Sequence, residues 1–264
     1  MKVAVITNQE GQVGKSVLSV LLGLTFSETQ NRQSVILSTG NCNSLYSQCS
    51  IDKTQDKLKN TNIYRALMQN AALSGDDLLN YADRIGKSNT FVFNLFNAKI
   101  ENDQLEKLFK ITLDRLVSEL VLVEVVGDLN SEFNKEVIKS CNAILYVFKP
   151  NPESIFKMQE YIANYDKSCV AKTGYVCQQY CPNVISENHF VKDIGIAKRL
   201  FMYLPYNEAI IKTCYNGELE SLVSSIITGG ESTINMRNKL LELMQYIFDN
   251  NTVKYIKGYK YWHL

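Results

Sequence analysis

The run Gly11-Gln12-Val13-Gly14-Lys15-Ser16 has the residue types of a phosphate-binding loop. An apolar stretch, Lys2–Thr7, precedes it, and a helical pattern begins directly at Lys15. In such a corner, successive backbone N–H groups wrap phosphate oxygens, and the positive end of the helix adds to the attraction. Gly14 lets the main chain approach closely, Lys15 carries a point charge to the outer phosphates, and Ser16 offers a hydroxyl to Mg²⁺. The usual spacing has another glycine five positions before Gly14, where this chain has Gln9. A chance Gly-Lys-Ser in an ordinary turn is the competing reading. Its location, after a buried strand and at a helix start, favours phosphate.

A second chemical signal is Leu122-Val123-Glu124-Val125-Val126-Gly127-Asp128. Glu124 interrupts an otherwise apolar strand. A buried, unpaired carboxylate costs on the order of several kcal/mol, so Mg²⁺ or Lys15 is expected beside it. The alternative puts Glu124 at a strand end in solvent. Asp128 is either another carboxylate near the phosphates or a turn or helix cap.

The elements that must position these residues alternate along the chain. Strands are expected at Lys2–Thr7, Ser34–Ser38, Thr90–Leu95, Val121–Val126, Ala143–Phe148, Val170–Cys177 and Leu200–Leu204. Helices are expected at Lys15–Gln30, Thr61–Gln69, Asp76–Ile85, Asn102–Glu119 and Thr233–Phe248, with a polar loop over Asn41–Asn60. Near-continuous apolar strands separated by helices predict an α/β fold, a mostly parallel central sheet with helices on both faces. No linker divides the chain, so residues 1–249 read as a single domain, followed by a tail over 250–264.

Bulk composition narrows the classes. The 264 residues are 45% hydrophobic and 21% charged with a net charge of +1, an ordinary globular mixture without a global field for nucleic acid or membrane. The start of the chain reads as a strand rather than a signal peptide, and no run is long enough to span a bilayer. A soluble, cytoplasmic protein is expected. Seven cysteines without a CxxC pair predict free thiols, and two histidines, His189 and His263, make a triad or a histidine metal site a poor expectation.

Glu10-Gly11-Gln12-Val13-Gly14-Lys15-Ser16 resembles the deviant Walker A motif of the ParA/MinD family, Lys-Gly-Gly-Val-Gly-Lys-Thr. The resemblance continues in order along most of the chain. Val35–Asn41 is similar to the family's second strand and switch I, and Leu122–Asp128 to switch II. Ala143–Glu153 is similar to a strand ending in Pro-Glu, and Arg199–Glu218 to the late strand, adenine-side loop and helix. It implies an ATP- and Mg²⁺-binding switch that positions or partitions cargo, working as a nucleotide-dependent homodimer or through a protein partner. Nucleotide contacts are implied at Glu10, Gly11, Gln12, Val13, Gly14, Lys15, Ser16 and Val17. Base-side contacts are implied at Gln178, with Gln179 beside it, and at Pro205, Tyr206 and Asn207. Ser16 and Glu124 are the implied Mg²⁺ residues, and Lys15, Thr39, Glu124 and Asp128 the implied catalytic set.

Measured against that resemblance, the nucleotide-holding parts survive better than the nucleotide-cleaving ones, and Glu for Asp at Glu124 is a conservative change. The family's signature lysine falls at Glu10, its switch I aspartate at Thr39, the next acidic position at Asn41, and its switch II aspartate at Glu124. Weak or absent hydrolysis is the expectation; a nucleotide-binding scaffold without turnover and a partitioning ATPase with normal turnover are the alternatives. A TadZ-like localisation factor is one form of the leading reading. Ser131 stands where the related nitrogenase iron protein has a cluster ligand, so no iron–sulfur cluster is expected. The tail interleaves Lys254, Lys257 and Lys260 with Tyr255, Tyr259, Tyr261 and Trp262. It either packs on its own domain or makes a peripheral contact with membrane, DNA or a protein, at a membrane or cell pole.

Overall fold

The structure is a computed structural model that describes residues 1–8, 13–49, 75–93, 95, 102–165, 167–229 and 233–249. Its strands are β1 (Lys2–Ile6), β2 (Ser34–Ser38), β3 (Asp83–Arg84), β4 (Thr90–Phe93), β5 (Leu120–Glu124), β6 (Ala143–Phe148), β7 (Thr173–Tyr180) and β8 (Phe201–Pro205). Among the described residues they form one sheet in the order β3-β4-β2-β5-β1-β6-β7-β8. Every pairing is parallel except the edge pair of β3 with β4.

Alternation along the strands sends side chains to two separate cores. Ala4, Ile6, Val35, Leu37, Val121 and Val123 face one, while Val3, Val5, Ile36, Leu120 and Leu122 face the other. The first core is closed by helices α4 (Asn102–Arg115), α5 (Glu132–Ser140), α6 (Pro152–Asn164) and α8 (Glu187–Ile194). The second is closed by α1 (Lys15–Gln30), α10 (Leu219–Thr228) and α11 (Ile234–Asp249). Each fully buried Leu or Ile contributes roughly 1.5–3 kcal/mol, so burial on both faces drives the layering. The remaining helices are α2 (Asn43–Gln48), α3 (Gly75–Leu79), α7 (Lys167–Val170) and α9 (Glu208–Asn216).

Side-chain caps fix several helix starts. Ser131 Oγ accepts from the Asn134 amide, Asn151 Oδ1 from Ser154 ahead of Pro152, and Asn207 Oδ1 from Ala209. Local signals therefore set these boundaries.

Four expectations are corrected. Asp76–Ile85 is not one helix: α3 stops at Leu79, and Asp83–Arg84 reverses as β3. Tyr46 donates to the buried Asp83 carboxylate at 2.9 Å, and Arg84 bonds the carbonyls of Lys87 and Ser88, contacts that favour the hairpin. Val170 ends α7, and β7 runs instead from Thr173 to Tyr180. Asn41–Asn60 opens with α2, whose first turn has the Asn43 amide bonded to Asn41 Oδ1 at 2.8 Å. The helix from Asn102 stops at Arg115, ahead of β5. The helix expected at Thr61–Gln69 lies outside the described residues, as do residues 250–264.

Candidate functional site

The candidate residues gather at the carboxyl edge of the sheet, beside its central strand. β1 lies between β5 and β6, with Val5 opposite Glu124 and Ser38 of β2 also opposite Glu124. The connection after β1 enters α1 on one face, and the connection after β5 enters α5 on the other. Open α/β sheets bind ligands at such a divergence.

Asn8 anchors the start of the loop after β1. Its Nδ2 donates to the Lys157 carbonyl on α6 at 2.7 Å, and the Tyr146 hydroxyl donates to its Oδ1. Glu10, Gly11 and Gln12 lie outside the described residues. Val13 is buried, and Gly14 caps α1 with φ of 92°, the left-handed region where a side chain is strained. Val17 packs half-buried on the second core.

Lys15 Nζ donates to the Val125 carbonyl at 2.6 Å. Ser16 Oγ donates to Glu124 Oε1 at 2.6 Å and lies 2.9 Å from Ser44 Oγ on α2. Glu124 is only 4% exposed, so the solvent reading of this residue fails. Burial pushes its pKa up, opposed by the Ser16 hydrogen bond and by the Lys15 charge. Burial pulls the Lys15 pKa down, opposed by the Glu124 charge. Desolvation thus works against both charges, and a ligand carrying complementary charge relieves both.

Thr39 does not face this cluster through a free hydroxyl. Its Oγ1 accepts from the Val126 amide at 2.9 Å. Asp128 lies in an exposed turn, where its Oδ1 accepts from the Asn130 amide at 2.8 Å. No hydrogen bond or ion pair joins Asp128 to Lys15 or Ser16 among the described residues. The base-side segments do meet: Tyr180 is paired with Pro205, and the Tyr206 amide donates to the Tyr180 carbonyl at 3.2 Å. Pro205 is half-buried, Tyr206 is exposed, and Asn207 is engaged in capping α9.

Gln178 occupies an unexpected position. A bulge lies between Cys177 and Tyr180, and Gln179 takes φ of 58°. Gln178 is 7% exposed, and its Cδ would be 3.3 Å from a Cβ built on Gly14. Its Nε2 has no hydrogen-bond partner among the described residues. A buried donor without an acceptor costs about 1–3 kcal/mol and marks a place for an acceptor-rich ligand.

These features fit a magnesium nucleotide. Ser16 and Glu124 supply hard oxygen ligands suited to Mg²⁺, Lys15 supplies positive charge, and Gln178 supplies an unused donor beside the glycine cap. Sequence reasoning missed Asn8, Ser44 and Asn134. Asn134 donates to the Val126 and Asp128 carbonyls at 3.0 and 2.8 Å. None of the three stands in a spacing that signals such a role.

No family model and no curated protein matches the chain. Solved structures do. A chain of the MinC:MinD cell division protein complex of Aquifex aeolicus matches with a TM-score of 0.66 at 12% identity, over 94% of this chain and 96% of that one. A ParA family ATPase from Chlorobium tepidum TLS gives 0.66 and 12%, over 92% and 97%. MinD of Pyrococcus horikoshii OT3, complexed with Mg-ADP, gives 0.64 and 10%, over 96% and 99%. The chain has the ParA/MinD-like P-loop ATPase fold.

Proposed function

We propose that this chain is a Mg·ATP-binding switch protein that positions or partitions a cargo, with weak or absent hydrolysis. The reading rests above all on Lys15, Ser16 and Glu124 meeting at the carboxyl edge of the sheet. The P. horikoshii relative is described with Mg-ADP, and its fold spans nearly the whole chain. Lys15 would leave the Val125 carbonyl to meet the outer phosphates. Ser16 and Glu124 would hold the metal, which supplies charge neutralisation between phosphates. Gln178 would donate to the nucleotide. The Asn8 anchor on α6 would keep the loop start in place.

A nucleotide-dependent homodimer or a protein partner completes the proposal, since the A. aeolicus relative is described in a MinC:MinD complex. The tail over 250–264 is the segment we assign to any peripheral membrane or DNA contact. A scaffold that binds nucleotide without turnover is the second reading, favoured by Thr39 in place of a carboxylate. Calorimetry with Mg·ATP and a sensitive hydrolysis assay on the same preparation test both. Absence of nucleotide binding would overturn the central reading, and brisk hydrolysis would overturn the weak-turnover clause.

A further inference from the structure

Val126 is held from three directions. Thr39 Oγ1 accepts from its amide at 2.9 Å and donates to its carbonyl at 3.4 Å. Asn134, 4% exposed, donates to that same carbonyl at 3.0 Å and to the Asp128 carbonyl at 2.8 Å. The Val126 side chain lies against Gly40, where an added Cβ would be 2.8 Å from Val126 Cβ. The Thr39 amide itself continues the β2–β5 ladder by donating to the Glu124 carbonyl at 3.0 Å.

We propose that Thr39 is a positioning residue, a clasp that keeps residues 125–128 against the end of β2 whether or not nucleotide is bound. The inference rests on reading this edge as the nucleotide site. A hydroxyl both accepts from the Val126 amide and donates to its carbonyl, whereas an ionised carboxylate accepts only. Thr39 is therefore more than a missing carboxylate. When Lys15 turns toward phosphate it releases the Val125 carbonyl, but Val126 keeps bonds to Thr39 and Asn134. Rearrangement on nucleotide binding is confined to Lys15 and Val125, and the segments after β2 and β5 stay joined and in place.

Residue-resolved hydrogen exchange on the full-length protein tests this, with and without Mg·ATP. The wild-type Val126 amide exchanges slowly without nucleotide, and rates over residues 126–128 shift by no more than about twofold when it is added. Thr39→Val speeds exchange at Val126 by about tenfold, and Thr39→Ser restores it. Equal protection in Thr39→Val and wild type overturns the clasp, as does unprotected wild-type Val126 or strong slowing at 126–128 by Mg·ATP. If Thr39→Val also loosens β6, the wild-type comparison and Thr39→Ser decide. The nucleotide-free measurements stand even if calorimetry finds no binding, so failure of the clasp and failure of the nucleotide reading are separable.

Discussion

The Ser16 hydroxyl donates to Glu124 Oε1 at 2.6 Å, across 108 residues of sequence. This contact joins the first turn of α1 to the end of β5, and Lys15 reinforces it through the neighbouring Val125 carbonyl. The first turn of α1 and the end of β5 are thereby registered to each other. Preorganised donors and acceptors lose less on binding than groups that must first be ordered.

In the proposed nucleotide site, Lys15→Ala removes one charge-assisted phosphate contact. Mg·ATP affinity is expected to fall about tenfold or more, equivalent to roughly 1.5–3 kcal/mol. Calorimetric titration of both proteins checks it. Unchanged affinity would place the phosphates elsewhere.

Glu124→Gln keeps an oxygen for Ser16 and removes a charge that burial disfavours. Because it also takes from the buried Lys15 the charge that opposes its desolvation, the nucleotide-free variant is expected to be no more stable than the wild type. Its ATP affinity should become nearly insensitive to Mg²⁺, losing about tenfold or more of the enhancement the metal gives the wild type. Thermal unfolding and titrations with Mg²⁺ or EDTA read the two effects. A variant that keeps the full Mg²⁺ response would remove Glu124 from the metal site.

Gly40→Ala should destabilise by about 1–3 kcal/mol, because the new methyl meets Val126 well inside contact distance. Gly40→Ala with Val126→Gly removes the Cβ that the new methyl meets and should recover part of that loss. Denaturant unfolding of Gly40→Ala, Val126→Gly and the double variant decides it. Full additivity of the separate changes would mean that the contact is not felt.

Thiol reactivity should follow burial. Burial pushes the pKa of Cys214 up to about 11 and those of Cys49 and Cys141 up to about 12, while Cys181 is exposed. At pH 8 the thiolate fraction of a group with a pKa near 11 is on the order of one in a thousand. Brief alkylation at pH 8 should therefore label Cys181 first, with the buried thiols reacting as pH rises toward their pKa values or after unfolding. Peptide mapping that finds Cys49 or Cys141 labelled as fast as Cys181 contradicts the packing.

Turnover should be slow. In the resemblance, Glu10 puts a carboxylate where a partner-directed cation is expected, and two unit charges about 4 Å apart at an effective dielectric near 20 interact by roughly 4 kcal/mol. Glu10→Lys is expected to favour an ATP-dependent dimer, seen by sedimentation. Adding Thr39→Asp should raise hydrolysis only if the segment at Val126 tolerates losing its hydroxyl donor. Brisk wild-type hydrolysis would refute the weak-turnover proposal.

The sequence by itself carried the elements whose signals are local. Lys15–Gln30, Ser34–Ser38 and Ala143–Phe148 stand in the structure with the bounds that their apolar runs and flanking residues predict. Gly14-Lys15-Ser16 was legible because strand, loop and helix are contiguous, and Glu124 because a carboxylate in an apolar strand demands a partner. Tertiary structure alone decided what those residues touch. Thr39 reaches Val126 across 87 residues, Ser16 reaches Ser44 on a helix the sequence did not suggest, and Gln178 is aimed at Gly14 by a bulge. It also decided that Asp83–Arg84 reverses into an edge strand, because the Tyr46 bond to Asp83 comes from another part of the chain. Helical and strand periodicity depends on neighbours a few positions away, whereas a hydroxyl's partner depends on strand order and helix placement, which no local spacing encodes.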